Sequence, residues 1–328
     1  MKSIVAALLL GALLASPAAA QPRAKLKFVM PTPPATYLLP YFVAQDLGWY
    51  RNWGLEVAEQ VISGDPNSLR VVVAGDSEVT LIGPPTIMEA VINGAKLRMF
   101  TSWQPVTDYM LIAGDKKART LKDLADKRIA VTGPGSMTMH IPQMLMLKAG
   151  VDTSQVKFLS VGGMAARLQS VAAGKVDATL VDTFFATKAE RSGVAHTVSS
   201  IAKEFPGLGY VFAVARENTL ADPAGRAALG VFAKGTVEGA RFIRKDPAGA
   251  AAVLKKRLPD EDLDLIRATL EKLNTLGVWG VNGGLDREVI EFSSKTFADL
   301  GMIKRRVTYE ELVDPSVVAG VIGELGRF

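Results

Sequence analysis

The chain has 328 residues, 48% of them hydrophobic and 22% charged, with 38 Lys and Arg against 33 Asp and Glu for a net charge of +5. That composition belongs to a globular protein and excludes a disordered or collagenous one, and the length exceeds what one core usually serves, so two lobes are expected. There is no Cys and there are only two His, which excludes disulfides, thiolate metal sites and a catalytic Cys.

The N-terminus reads as an export signal. Lys2 precedes an apolar run over residues 4–14 that is too short to span a bilayer, Ser16 and Pro17 break it, and Ala18, Ala19 and Ala20 supply small residues for cleavage after Ala20. With no Cys to carry a lipid and no later long apolar run, a soluble periplasmic mature chain starting at Gln21 is expected.

From there strand and helix patterns alternate. Residues 26–30 read as a strand, 41–50 as a helix, 55–61 as a strand, 68–74 as a helix and 79–82 as a strand. The series then recurs: strand 128–131, helix to 147, strand 156–161, helix 165–172, strand 178–181. Residues 74–83 align with 173–182, with four of the ten positions identical, and Gly48/Gly150 and Gly64 with Gly162 or Gly163 correspond on either side. An ordered repeat about 100 residues apart predicts two similar βαβαβ halves with parallel sheets.

The repeat also locates the binding site. Ligands of open α/β sheets bind beyond the carboxyl ends of the strands, so two facing halves enclose a cleft from six loops, residues 31–37, 63–67, 83–86, 132–138, 162–164 and 182–184. The candidate ligand residues in these loops are Pro33, Thr36 and Tyr37; Asp65; Gly83 and Pro84; Gly133, Gly135, Ser136, Met137 and Thr138; Gly163; and Asp182, Thr183 and Phe184, with Gln104 on a crossover between the halves. Hydroxyls and Gly at helix starts leave backbone N–H groups free for a polar or anionic ligand group. The hydroxyls and N–H groups of Ser136 and Thr138 are the expected anchor in the second half. Asp108 is a further hydrogen-bonding candidate, and Tyr37, Trp103, Tyr109, Phe184 and Phe185 could sandwich an apolar or planar solute. Trp49, Tyr50 and Trp53 are expected to pack inside the first lobe. His140 and His196 have no metal-ligand spacing, there is no phosphate-binding loop or nucleophile elbow, and the short basic runs make no nucleic-acid stripe. No catalytic group, metal or cofactor is expected.

Residues 42–50 (FVAQDLGWY), 53–57 (WGLEV), 73–79 (VAGDSEV), 121–131 (LKDLADKRIAV) and 171–178 (VAAGKVDA) resemble the substrate-binding proteins of ABC transporters in the nitrate, sulfonate and taurine group, the NMT1/THI5-like superfamily. The resemblance implies an α/β type II periplasmic-binding-protein fold, two similar lobes with a ligand cleft between them. Lobe 1 is expected over residues 23–107 plus 215–328 and lobe 2 over 108–214, with crossovers near 104–113 and 209–216. It further implies a monomeric receptor for a small anion, sulfonate or aromatic carboxylate, serving ABC permease and ATPase subunits. Two other readings stand beside it: an enzyme like the pyrimidine synthases of thiamine biosynthesis, whose branch is cytosolic and Cys-rich, and a receptor of the tripartite (TRAP/TAXI) transporters.

Overall fold

A computed structural model describes residues 24–134 and 136–328; the expected export signal and Gly135 lie outside the described residues. Ten strands form two sheets: β1 (Ala24–Met30), β2 (Leu55–Val61), β3 (Val79–Ile82), β4 (Leu97–Val106), β5 (Met110–Ala113), β6 (Arg128–Val131), β7 (Lys157–Ser160), β8 (Ala178–Val181), β9 (His196–Ser200) and β10 (Gly209–Arg216). The first sheet has the order β2-β1-β3-β10-β4 and the second β7-β6-β8-β5-β9. In each, three parallel strands carry the repeat and an antiparallel strand closes onto the third, β10 on β3 and β5 on β8.

The duplication extends to individual hydrogen bonds. Thr80 Oγ1 donates to the Val29 carbonyl and its counterpart Thr179 Oγ1 to the Ala130 carbonyl, both at 2.9 Å. Two residues earlier Glu78 accepts the Lys27 N–H at 2.7 Å and Asp177 accepts the Arg128 N–H at 2.8 Å. A buried Thr on the third strand thus bonds the first strand in both halves, and an acid just before the third strand pairs a first-strand N–H in each.

Two expectations need adjustment. The helix read over 41–50 is two pieces, Leu39–Asp46 and Trp49–Asn52, because Gly48 adopts φ +75°, a left-handed conformation that ends a helix. The segment 209–216 is a full strand of the first sheet, paired with both β3 and β4. The chain therefore returns to the first lobe before Gly209, and residues 209–214, assigned to lobe 2 from the sequence, pair with the first sheet instead. An extended run of buried residues reads equally well as a connector or a strand.

Helix Pro223–Lys245 covers the first sheet, and helix Pro247–Arg257 packs on it and on helix Leu39–Asp46. Phe232 of the longer helix joins a ring cluster with Phe28, Tyr41, Tyr50 and Trp103, with Tyr50 stacked on Phe232 at 5.7 Å and its hydroxyl donating to the Phe232 carbonyl. Tyr50 is buried in this core, and Trp49 packs against Phe242 at its edge. Helices Pro223–Lys245 and Leu39–Asp46 approach so closely that a Cβ on Gly239 would lie 2.0 Å from the Pro40 carbonyl oxygen. Gly239→Ala, which would ordinarily gain helix propensity, is expected to cost about 2–3 kcal/mol; a melting temperature equal to wild type would show that the helices can part without loss.

Candidate functional site

The strand ends of both sheets and the crossovers converge on one cluster of three tyrosines, three aspartates and an arginine. Tyr210, at the start of β10, stands between Tyr37 of the loop after β1 and Tyr109 of the crossover from β4 to β5. Its ring lies 5.7 Å from the first and 5.4 Å from the second, both edge to face. Tyr37 is fixed from behind: Trp103 Nε1 donates to its carbonyl at 2.7 Å, and its hydroxyl bonds Thr32. Trp103 itself is wholly buried and lies in the core beneath the loop.

Each carboxylate is held by backbone at a strand end. Asp65, in the first turn of helix Asp65–Ala74, accepts the Gly83 N–H at 2.8 Å. Asp182 follows β8 and caps helix Thr183–Arg191 by accepting the Phe185 N–H at 2.9 Å. Asp108 is buried in the crossover, where it accepts from Thr183 N at 3.0 Å and Gln104 Nε2 at 3.1 Å, while Thr183 Oγ1 donates to the Asp108 carbonyl.

Burial raises all three acids above the ordinary carboxylate range. Asp182 is pushed up to about 7, first by desolvation and then by the charge of Asp108. The three tyrosines are raised too, chiefly by burial and secondarily by these same carboxylates. No ion pair within 4 Å reaches Asp65, Asp108 or Asp182 among the described residues.

The nearby cation, Arg167, is committed elsewhere. It is 1% exposed and donates to Thr132 Oγ1 (2.8 Å), Gly162 O (2.6 Å), Thr179 Oγ1 (3.1 Å) and Leu180 O (2.9 Å). Four bonds from a group with five N–H donors brace the carboxyl ends of β6, β7 and β8 against one another. Burial lowers its pKa, an effect opposed by Tyr109 and Asp182.

Of the residues expected from the sequence, Tyr37, Asp65, Gln104, Asp182 and Thr183 meet in or directly against this cluster. Gly83 and Pro84 are buried at the end of β3, where Gly83 holds Asp65. Thr36 is buried in the short turn Thr36–Leu38, and Pro33 is exposed on the same loop. Phe184 crosses between the lobes to join the first lobe's core. Ser136 and Thr138 bond within their own turn: Ser136 Oγ donates to Gly133 O at 2.7 Å and meets Thr138 Oγ1 at 2.8 Å, and Thr138 Oγ1 accepts the Thr132 N–H at 2.8 Å. Met137, half-buried, opens the helix Met137–Lys148. A Cβ on Gly133 or Gly163 would meet nothing within 4 Å, so both border open space.

Sequence reasoning missed Tyr210 and Arg167 as site residues and left Tyr109 as a general aromatic candidate. The repeat does carry a signal for Arg167. It occupies the position of Ser68, also buried, one turn into the second helix of each half, and a long cation in place of a small hydroxyl marks a departure from symmetry.

Two duplicated α/β lobes meeting over a shared polar cluster define a two-lobed binding-protein fold. The family model described as NMT1/THI5 like matches residues 35–250, well over half of the chain, and the chain belongs to that family. Among curated relatives, YtlA of Bacillus subtilis (strain 168), assigned as a binding protein, is 19% identical over 88% of this chain and 87% of its own length. Solved structures share the fold. The ligand-binding component of an ABC-type import system from Staphylococcus aureus, with zinc bound, has a TM-score of 0.75 at 10% identity, covering 91% of this chain and 99% of that one. The alkanesulfonate-binding protein SsuA from Xanthomonas axonopodis pv. citri, bound to MOPS, has a TM-score of 0.69 at 18% identity (89% and 98%). An enzyme uses the fold as well: the desulfurization enzyme DszB has a TM-score of 0.68 at 12% identity (92% and 100%).

Proposed function

We propose that this chain is the solute receptor of an ABC importer, which closes its lobes over one small molecule at the Tyr37, Tyr109 and Tyr210 cluster and presents the closed form to the permease and ATPase. The observation that carries this reading is the convergence of both sheets' carboxyl strand ends and both crossovers on a single polar cluster. Family membership supports it. The signal-like pattern of residues 2–20 supports residence in the periplasm, and among the described residues no helix is long and apolar enough to cross a membrane. Binding without turnover is the reading favoured over an enzyme, since the chain contains no Cys and each carboxylate in the cluster is engaged by backbone N–H groups. Scattering with and without a bound solute tests closure, because hinge motion should reduce the radius of gyration; recovery of the solute chemically unchanged separates a receptor from an enzyme.

The two lobes also touch directly beside the cluster. Helix Thr183–Arg191 of the second lobe lies against helix Leu263–Leu276, whose apolar face belongs to the first core. Lys188 pairs with Glu261 at 2.8 Å and Lys272 with Glu190 at 2.5 Å across the contact. Half-exposed pairs contribute modestly, so the double variant Lys188→Ala/Lys272→Ala should weaken solute affinity by roughly fivefold, and high salt should do the same to wild type. A double variant with wild-type affinity at low salt would remove these pairs from the closure.

A further inference from the structure

The cluster constrains the solute's chemistry, on the premise that this cleft is a receptor site. Its groups are acceptors in excess. Asp108 and Asp182 are neighbours, Asp65 borders the same tyrosines, and none of the three has an ion-pair partner among the described residues. Asp65 spends one carboxylate oxygen on Gly83, and Asp182 spends one on Phe185. Gln104 adds an independent sign. It is 1% exposed, its Nε2 is turned to Asp108, and its Oε1 is buried with no hydrogen-bond partner. An orphaned buried acceptor beside the Asp108 carboxylate is expensive unless a donor arrives.

The cation that could make an anion site does not serve it, because Arg167 donates to four oxygens of its own lobe. A metal ion is a poor occupant: among the described residues no three His, Cys, Asp or Glu groups are placed to hold one. Three tyrosine rings set edge to face supply the remaining wall, and aromatic faces attract cations.

We infer that the solute is held through a cationic, N–H-bearing nitrogen group, a protonated amine or an amidinium, which enters the tyrosine cage and donates toward Asp182, Asp65 and Gln104. This departs from the anion, sulfonate or aromatic carboxylate expected from the family resemblance. The rise of Asp182 toward neutrality agrees with it, since burial and the neighbouring Asp108 charge raise that group against the opposing effects of Arg167 and the Phe184 and Phe185 N–H groups.

The test uses the purified chain at pH 8. Methylammonium, putrescine and benzamidine chlorides, and separately sodium nitrate, methanesulfonate and benzoate, are titrated in thermal melts and calorimetry against sodium chloride of equal ionic strength. At least one nitrogen cation should raise the melting temperature and give a saturable isotherm. Asp182→Asn and Asp65→Asn, each confirmed folded by its own melt, should weaken it at least about tenfold. Binding of an anion without any cation, silence from all three cations, or cation binding untouched by both substitutions overturns the inference. Scattering on the same samples keeps the two readings apart. An anion that compacts the protein leaves the receptor standing and removes only the assigned charge, whereas silence in both arms with no compaction counts against both.

Discussion

Asp182→Asn is expected to make the unliganded protein more stable at pH 8 and to flatten its loss of stability between pH 4 and 7. The folded-state pKa of Asp182 lies near 7, above the ordinary 3.8. Between those values the folded chain holds a proton that the unfolded chain has released. Stability therefore falls as pH rises through this window and levels off above it. The cause is burial beside Asp108, and an amide removes the charge while its Oδ1 can still accept the Phe185 N–H. Three pKa units correspond to roughly 4 kcal/mol as an upper bound, and since Asp108 shares the effect, a gain on the order of 1–3 kcal/mol at pH 8 is expected, with little change at pH 4. Melts at the two pH values decide it. A variant less stable than wild type at pH 8 would mean that Asp182 is compensated by a group not seen here. A carboxylate kept at a cost to the fold is what a binding site requires, and the gain in stability should accompany the loss of affinity described above.

The largest loss is expected at Arg167. Arg167→Met keeps the length of the stem and strips the donors from Thr132 Oγ1, Gly162 O, Thr179 Oγ1 and Leu180 O. Removing a buried charge returns its desolvation penalty, which opposes the loss. Four charge-assisted bonds, each about 1.5–3 kcal/mol, outweigh it when the acceptors left behind are buried and unpaired. A net cost of about 3–4 kcal/mol is expected. Arg167→Lys should recover little, because one ammonium cannot reproduce a planar fork reaching three loops. Hydrogen exchange should place the damage in β6, β7 and β8, with the first sheet still protected. A cost under about 1 kcal/mol, or loss spread evenly over both lobes, would show that Arg167 does not hold those strand ends.

The duplicated halves were legible because their signals are local. Third strands with matching Ala, Gly, Thr and Leu, and left-handed glycines at Gly75 and Gly174, repeat short-range chemistry that does not depend on what lies across the molecule. Tyr37, Asp65 and Asp182 were expected at the cleft because strand ends are where a parallel sheet exposes its loops, and Gln104 because it lies on a crossover. Tyr210 was missed because β10 looks like a connector until β3 and β4 pair on either side of it. The electrostatic character of the site was equally invisible: Asp65, Asp108 and Asp182 are far apart in sequence, and only tertiary packing gathers them. The hydroxyls of Ser136 and Thr138 read as ligand groups from their place at a helix start, yet the turn folds them onto each other and onto Thr132.

The position of β10 governs the order in which the lobes can form. The second sheet uses β5 to β9, an uninterrupted stretch from Met110 to Ser200, whereas the first sheet has β10 between β3 and β4. Until residue 209 and its successors are in place, β4 has no partner in its own sheet, and closing that gap joins segments more than 100 residues apart. Contacts of such sequence separation form slowly. Refolding should therefore be sequential, with the smaller, contiguous lobe organised first and the larger one completed by insertion of a central strand. Pulsed hydrogen exchange during refolding should show amides of β6 and β8 protected in an early phase and those of β4 and β10 together in a later one, so that the protein acquires a cleft only in its last folding step.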